Sequence, residues 1–454
     1  MNPGSEPTAL DRAVRHPGYH DSAWPVECGG NRRQKARTGR LDAGSGRARV
    51  VTRRDERWHV MAIERDPDQW YLTGTRPAFT GPPPHGWVER IDPETLEPRA
   101  TSPDLPCGDH VWCGAVLAHA DGSIHVINGS YLHRLDPDTL EVLAERRLPV
   151  DHSHNGLLAL ADGTLVTKDL RLEGQGPTTI TRLRPDTLEL VGDPLVLPEG
   201  SMGRIAADLV DAATGLEHVY VPGTDHVWRL VVDGDELIVD DWRARYRPSG
   251  ADGGLAWDAC LSDGACWIMD CGDVESVRLI HRAHPNGRFP RPPGRALSWR
   301  RPAPWSAPVR LVRIALDDPT DVRAVAVTGH PGGGIIAPPV HIADHDRAVA
   351  WDSINGGLCG FDTSEPDRDP EPVWQLEVRP SMQPVVFPDS GELVINDFTP
   401  AGRDEIVVVD LVDGTLIDRV DTGSRIANGM FLSAGGHRDV YYCTTTMTAR
   451  IVWE

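Results

Sequence analysis

Alternation of apolar and polar positions dominates the chain. "GAVLAHADGSIHVIN" (114–128) reads apolar strand, Asp-Gly turn, apolar strand. The pattern returns at "NGLLALADGTLVTKD" (155–169), "LAWDACLSDGACWIMD" (255–270), "QPVVFPDSGELVIND" (383–397) and "NGMFLSAGGHRDVYYCT" (428–444). A period of two broken by Asp, Gly and Asn predicts β-hairpins. Nowhere do apolar residues recur at helical spacing over a dozen positions, so helices are not expected.

A second hairpin repeats between the first ones. "VERIDPETLEP" (88–98), "LHRLDPDTLEV" (132–142) and "ITRLRPDTLEL" (180–190) place Asp92, Asp136 and Arg184 at intervals of 44 and 48 residues. That period is typical of four-stranded propeller blades, with a Pro-led turn between the outer strands. Weaker copies stand at 228–239, 312–327, 358–374 and 406–420. Counting from Trp58 gives seven whole units and a last stretch, from Ser424, with room for three strands only. The sequence therefore predicts an all-β propeller of eight four-stranded blades, with seven as the runner-up, closed by the N-terminal strand "ARVVTRR" (48–54).

Residues 1–47 are expected to be a disordered basic leader, and residues 48–454 a single propeller domain. The segment 31–57 holds ten Lys/Arg against three Asp/Glu, with few large apolar residues nearby. The whole chain carries a formal charge of −21, which argues against nucleic-acid binding by the folded domain. No apolar run approaches the about 18 residues of a membrane span, and no secretory signal is visible, so a cytoplasmic location is expected. The eight cysteines show no CxxC pair; Cys260 and Cys266 are expected to face one another across a hairpin as buried thiols.

In a propeller, the starts of the innermost strands and the ends of the second strands emerge on one face, where ligand sites gather. Asp169 and Asp270 stand at second-strand ends and Asp252 in a connection; these three are the candidate catalytic carboxylates. Arg204, Arg425, Gln383 and Asn428 are candidate substrate-binding residues. Asn155, His154, His110 and His330 are candidate metal ligands, for calcium or for iron or zinc. The insertion 274–308 joins the second and third strands of the fifth unit. It carries seven arginines against one acid, with Trp299 and Trp305, which suits a lid over an anionic or aromatic molecule.

"NGLLALADGTLVTKDL" and "DGGLAWDACLSDGACWIMDCGD" (252–273) resemble hairpins of the SMP-30/gluconolactonase-like propellers. That resemblance implies a divalent metal polarising a lactone, with Asn155 similar to the metal-binding Asn, Asp252 to the Asp before Gly, and Glu64 a loose match to a first-blade Glu. The family has six blades where this chain counts eight. Quinoprotein-like propellers have eight, but their Trp-docking repeat is absent, so a quinone is not expected; nor is a nucleotide cofactor, since no GxGxxG or GxxxxGK(S/T) phosphate cradle is present. Three functions stay open: a metal-assisted, lactonase-like hydrolase of a small molecule, a non-catalytic sensor or scaffold with a protein partner, and an iron oxygenase holding its metal through His110, His154, His330 and His341.

Overall fold

The computed structural model describes residues 16–454 except 78–82, 172–174, 212, 248–255, 272–306, 331–337, 354, 400 and 426–428. Eight antiparallel sheets form the blades of a propeller. Their innermost strands are Trp58–Asp66, Cys113–Ala118, His154–Ala159, Ala206–Asp211, Cys260–Ser262, Val340–Ile342, Val385–Phe387 and Gly429–Ala434. Each described helix is a 3-10 turn of three residues, and none is long and apolar enough to cross a membrane.

Local chemistry explains the recurring turns. Asp136 Oδ1 accepts from the backbone N–H groups of Asp138 (2.9 Å) and Thr139 (2.8 Å), and Asp92 does the same for Glu94 and Thr95. The turn then swings the following leucine into the left-handed region, at φ 62° for both Leu96 and Leu140 and 59° for Leu188. A leucine resists that conformation, but all three side chains are fully buried, and the burial offsets the strain.

The ring closes through its eighth blade. Gly429–Ala434, Asp439–Thr444 and Met447–Trp453 supply three strands, and Ala48–Arg54 pairs with Met447–Trp453 as the fourth, from Ala48 opposite Trp453 to Arg54 opposite Met447. Trp70 of the first blade stacks on Tyr441 of the eighth at 4.0 Å, which packs the seam.

The expected disordered leader is overturned from His16 onward. Residues 16–37 run across the axial channel at the end where the innermost strands finish. Trp24, Val26 and Leu41 are fully buried. The carbonyls of Trp24, Pro25, Asn31, Arg32 and Lys35 accept from the N–H groups of Glu64 (2.9 Å), Ala118 (2.8 Å), Ala207 (2.9 Å), Leu261 (2.8 Å) and Val386 (2.8 Å). Asn31 Nδ2 donates to the Ala159 carbonyl at 3.0 Å and Arg37 Nη1 to that of Ala434 at 2.9 Å. An innermost strand is an edge, and its free N–H groups need acceptors. Backbone carbonyls supply them, so the segment needs no apolar pattern to be held.

One smaller expectation changes. Cys260 lies opposite Trp267 and Cys266 opposite Leu261, so the two thiols point to opposite faces of the sheet. The insertion does join the second and third strands of the fifth blade, Ala265–Asp270 and Arg310–Ala315, but Trp299 and Trp305 lie outside the described residues.

If the segment is part of the folded core, Trp24→Ala will cost about 3–5 kcal/mol in urea denaturation of the full chain. A loss below about 1 kcal/mol, the scale of a surface substitution, would show that the segment contributes nothing to stability.

Candidate functional site

With one end of the channel crossed by residues 16–37, the other end is where the innermost strands begin. Gly203 precedes the fourth of them, and a Cβ there would lie 2.3 Å from the Trp257 backbone. This close approach of neighbouring blades sets Arg204 beside Asp258. Asp258 Oδ1 accepts from the Arg204 backbone N–H at 2.7 Å, and its Oδ2 lies 3.4 Å from Arg204 Nη1. Arg204 is 4% exposed. It reaches across the ring, so that its guanidinium carbon stands 4.7 Å from the ring centre of Phe431 on the eighth blade and 6.0 Å from that of Trp112.

The crossing segment adds charges to the same place. Glu27 Oε1 accepts from Arg33 Nη1 and Nη2 at 3.2 and 3.3 Å and lies 3.8 Å from Arg204 Nε. Arg33 Nη2 is 3.6 Å from Asp258 Oδ2, and Lys35 Nζ donates to the Arg33 carbonyl. Burial raises the Glu27 carboxyl above its ordinary value, opposed by Arg33 and Arg204. Burial also works to raise Asp258, but Arg204 and Arg33 together overcome it and hold the carboxyl low. The Arg33 Nε and the Arg204 Nε and Nη2 atoms are buried without a hydrogen-bond partner.

Lys168 approaches from the third blade. Its Nζ donates to the Ser201 carbonyl at 2.9 Å and the Asp169 carbonyl at 3.4 Å. Burial pushes its ammonium down to about 7, against the pull of Asp169 and Asp258.

The expected site residues separate into groups. Arg204 lies in the axial cluster, and Asn155 stands close by: Gly156 backs onto the Arg204 side chain, and Asn155 Oδ1 accepts from Trp112 Nε1 while its Nδ2 donates to the Met202 carbonyl. Gln383 is buried with its Nε2 unpartnered. Arg425 is exposed and paired with Asp421. Asp169 is held by Arg171 and by the Thr179 N–H. Asp270 is held between Arg247 and Arg310. Asp252 and Asn428 lie outside the described residues.

The donors expected to hold a metal do not assemble into a ligand set. His154 Nδ1 is bonded to the His152 carbonyl, and burial lowers its imidazole to about 4. His110 faces Asp151 and stacks on His152. His330 sits on a connection beside Thr328, and His341 lies between Ser262 and Thr363. Glu64 is engaged by Arg37 of the crossing segment. Among the described residues, no three His, Cys, Asp or Glu side chains converge on one point.

Sequence reasoning missed Glu27, Arg33, Lys35 and Lys168. The first three lay in the supposed leader, where the run "WPVECGG" (24–30), apolar within a polar stretch, was the available signal.

Fold and site together define an eight-bladed β-propeller whose axis is crossed by its own N-terminal segment. It resembles solved propellers across almost its whole length. The quinohemoprotein alcohol dehydrogenase from Comamonas testosteroni matches with a TM-score of 0.62 at 11% identity, covering 99% of this chain and 82% of that one. Saccharomyces cerevisiae Sqt1 matches with a TM-score of 0.58 at 8% identity, covering 89% and 98%. The Dos1 propeller matches with a TM-score of 0.55 at 8% identity, covering 88% and 94%. At such identities the likeness is one of fold alone. No protein-family model matches the chain, and no curated protein matches its sequence significantly.

One titration follows from the lysine. An unfolded chain keeps the Lys168 proton up to about 10.4, whereas the folded one releases it near 7. Between those values the unfolded state binds more protons, so this group's contribution to stability rises with pH. Lys168→Met removes this pH-dependent penalty, so the stability of the variant relative to the unsubstituted protein should be highest at pH 7 and decline as the pH approaches 10. Urea denaturation of both proteins at the two pH values checks this, and a stability difference that does not change with pH contradicts it.

Proposed function

We propose that this propeller binds and acts on a small anionic or aromatic molecule in the axial channel, at the cluster where Arg204 and Asp258 meet the crossing segment. The observation that supports it is Arg204: a buried guanidinium backed by Asp258, flanked by Phe431 and Trp112, with two donor atoms lacking acceptors. Guanidinium hydrogens matched to carboxylate or phosphate oxygens, with an aromatic face alongside, form a recognition surface for such molecules.

Hydrolytic or related polar chemistry suits the site. Asp169 and Asp270 are committed to arginines, so the general base in this reading is Lys168, whose low proton affinity leaves it partly neutral near pH 7. An axis filled with apolar side chains would favour a scaffold. This one holds Glu27, Arg33, Arg204 and Asp258 instead. The eight cysteines, all free and buried, fit a cytoplasmic setting.

The test is a panel of small carboxylates, lactones and aromatic acids, followed by calorimetry and by release of hydrolysis product. At least one compound should bind the full chain, and Arg204→Met should weaken it tenfold or more. Turnover should increase as the pH rises through about 7, where Lys168 loses its proton. Equal affinity in Arg204→Met, or no binding across the panel, would falsify the reading.

A further inference from the structure

The charges at the axis do not balance. Arg33, Lys35 and Arg204 are each 4% exposed or less, and Lys168, partly neutral near pH 7, is buried beside them under the pull of Asp169 and Asp258. The carboxylates that meet the two guanidiniums are Glu27 and Asp258, while Asp169 is paired with Arg171. The Cys28 thiol, 3.6 Å from Arg33 Nη2, is kept protonated by burial and contributes no charge. Each of the two carboxylates is shared between the same two guanidiniums, so neither compensates a third cation.

The hydrogen-bond account shows the same deficit independently. Arg33 Nε, Arg204 Nε and Arg204 Nη2 are donors with no acceptor, although the residues that carry them are almost wholly buried. Buried donors in native proteins are nearly always satisfied by protein, water or ligand, and buried charges are paired. One acceptor of the cluster, Glu27 Oε2, is also buried without a partner, so three unmet donors stand against one unmet acceptor and the surplus, like that of charge, calls for an acceptor that bears negative charge.

We propose that this cluster is a binding site for a small oxyanion, a carboxylate or phosphate group, in which the blades supply Arg204 and Lys168 and the crossing segment supplies Arg33 and Lys35. The inference rests on the reading of the axial cluster as a ligand site and gives it a ligand class. It also makes the segment part of the site. Ligand and segment hold each other in place, because an anion between Arg33 and Arg204 touches both the segment and the fourth blade. By linkage, occupancy stabilises the docked segment, and an undocked segment leaves half the cations missing.

The experiment uses the full chain with inorganic phosphate and, separately, malonate as probes, at ionic strength held constant with sodium chloride. One of the two should raise Tm saturably, and hydrogen exchange at residues 24–37 should slow at least tenfold at saturation. Arg204→Met and Lys35→Met should each weaken binding tenfold or more, and Arg368→Met, in an exposed pair with Glu365, should leave it unchanged. Because Arg33→Met alone would strand Glu27, the paired variant Glu27→Gln/Arg33→Met tests that position, with the same loss expected. Binding that survives in the Lys35 and Arg33 variants but not in Arg204→Met overturns the role of the segment and leaves the proposed function standing. Unchanged exchange at 24–37 under saturating anion does the same. If neither probe binds while an uncharged compound from the panel does, the oxyanion class is wrong; if nothing binds, both readings fall.

Discussion

The innermost strand of a propeller blade has one edge with no strand beside it, and in an eight-bladed ring those edges surround a channel wide enough to admit a chain. Here the N-terminal segment occupies it. Its carbonyls serve the inner strands of the first, second, fourth, fifth and seventh blades. The segment then leaves along the seventh and eighth blades, where Glu392 accepts from the N–H groups of Asp42 and Ala43 and Arg438 donates to the Leu41 carbonyl. It ends as the outer strand Ala48–Arg54. One stretch of chain thus satisfies the axial edges and closes the rim, two tasks that propellers must otherwise meet separately.

That threading has an electrostatic consequence. It places Glu27, Arg33 and Lys35 where water does not reach, beside Arg204 and Asp258 from the blades. Moving an ion from water into a protein interior costs several kcal/mol even after relaxation. The arrangement returns part of that cost by letting each carboxylate meet two guanidiniums, as the planar five-donor fork of arginine permits. Residues kept against such a cost are candidates for function rather than stability.

The sequence made the blades legible because their signals are local. Asp136 binds N–H groups two and three residues on, so the turn is written in four or five letters and repeats with the blade. Strand 48–54 was legible by elimination, since a count of hairpins left the last unit one strand short. Asn155 followed from the rule that strand starts share a face, and Arg204 from the inter-blade connections that open on it. The crossing segment was not legible. Its backbone carbonyls meet N–H groups up to 351 residues away, as with Lys35 and Val386, and carbonyls are a group that every residue type has. A Gly- and Arg-rich composition looks the same whether its backbone meets water or an unpaired edge.

The carboxylates that drew attention as catalytic candidates illustrate how a repeat misleads. Asp169 and Asp270 both close the second strand of a blade, and so does Asp397 near the end of Glu392–Phe398. Each is met by arginine: Arg171, Arg247 with Arg310, and Arg419 respectively. Asp169 also takes the N–H of Thr179, the first residue of the third strand, and Arg310 opens the third strand of its own blade. In the third and fifth blades this aspartate therefore ties the second strand to the third, a structural task that says nothing of chemistry. Chemistry belongs where the units differ. Lys168 is a charged side chain in a strand interior where the second and fifth blades have the apolar Ile127 and Met269, and Arg204 is a buried charge just ahead of its inner strand. In a ring built of near copies, the positions that break the copy carry the information about a ligand.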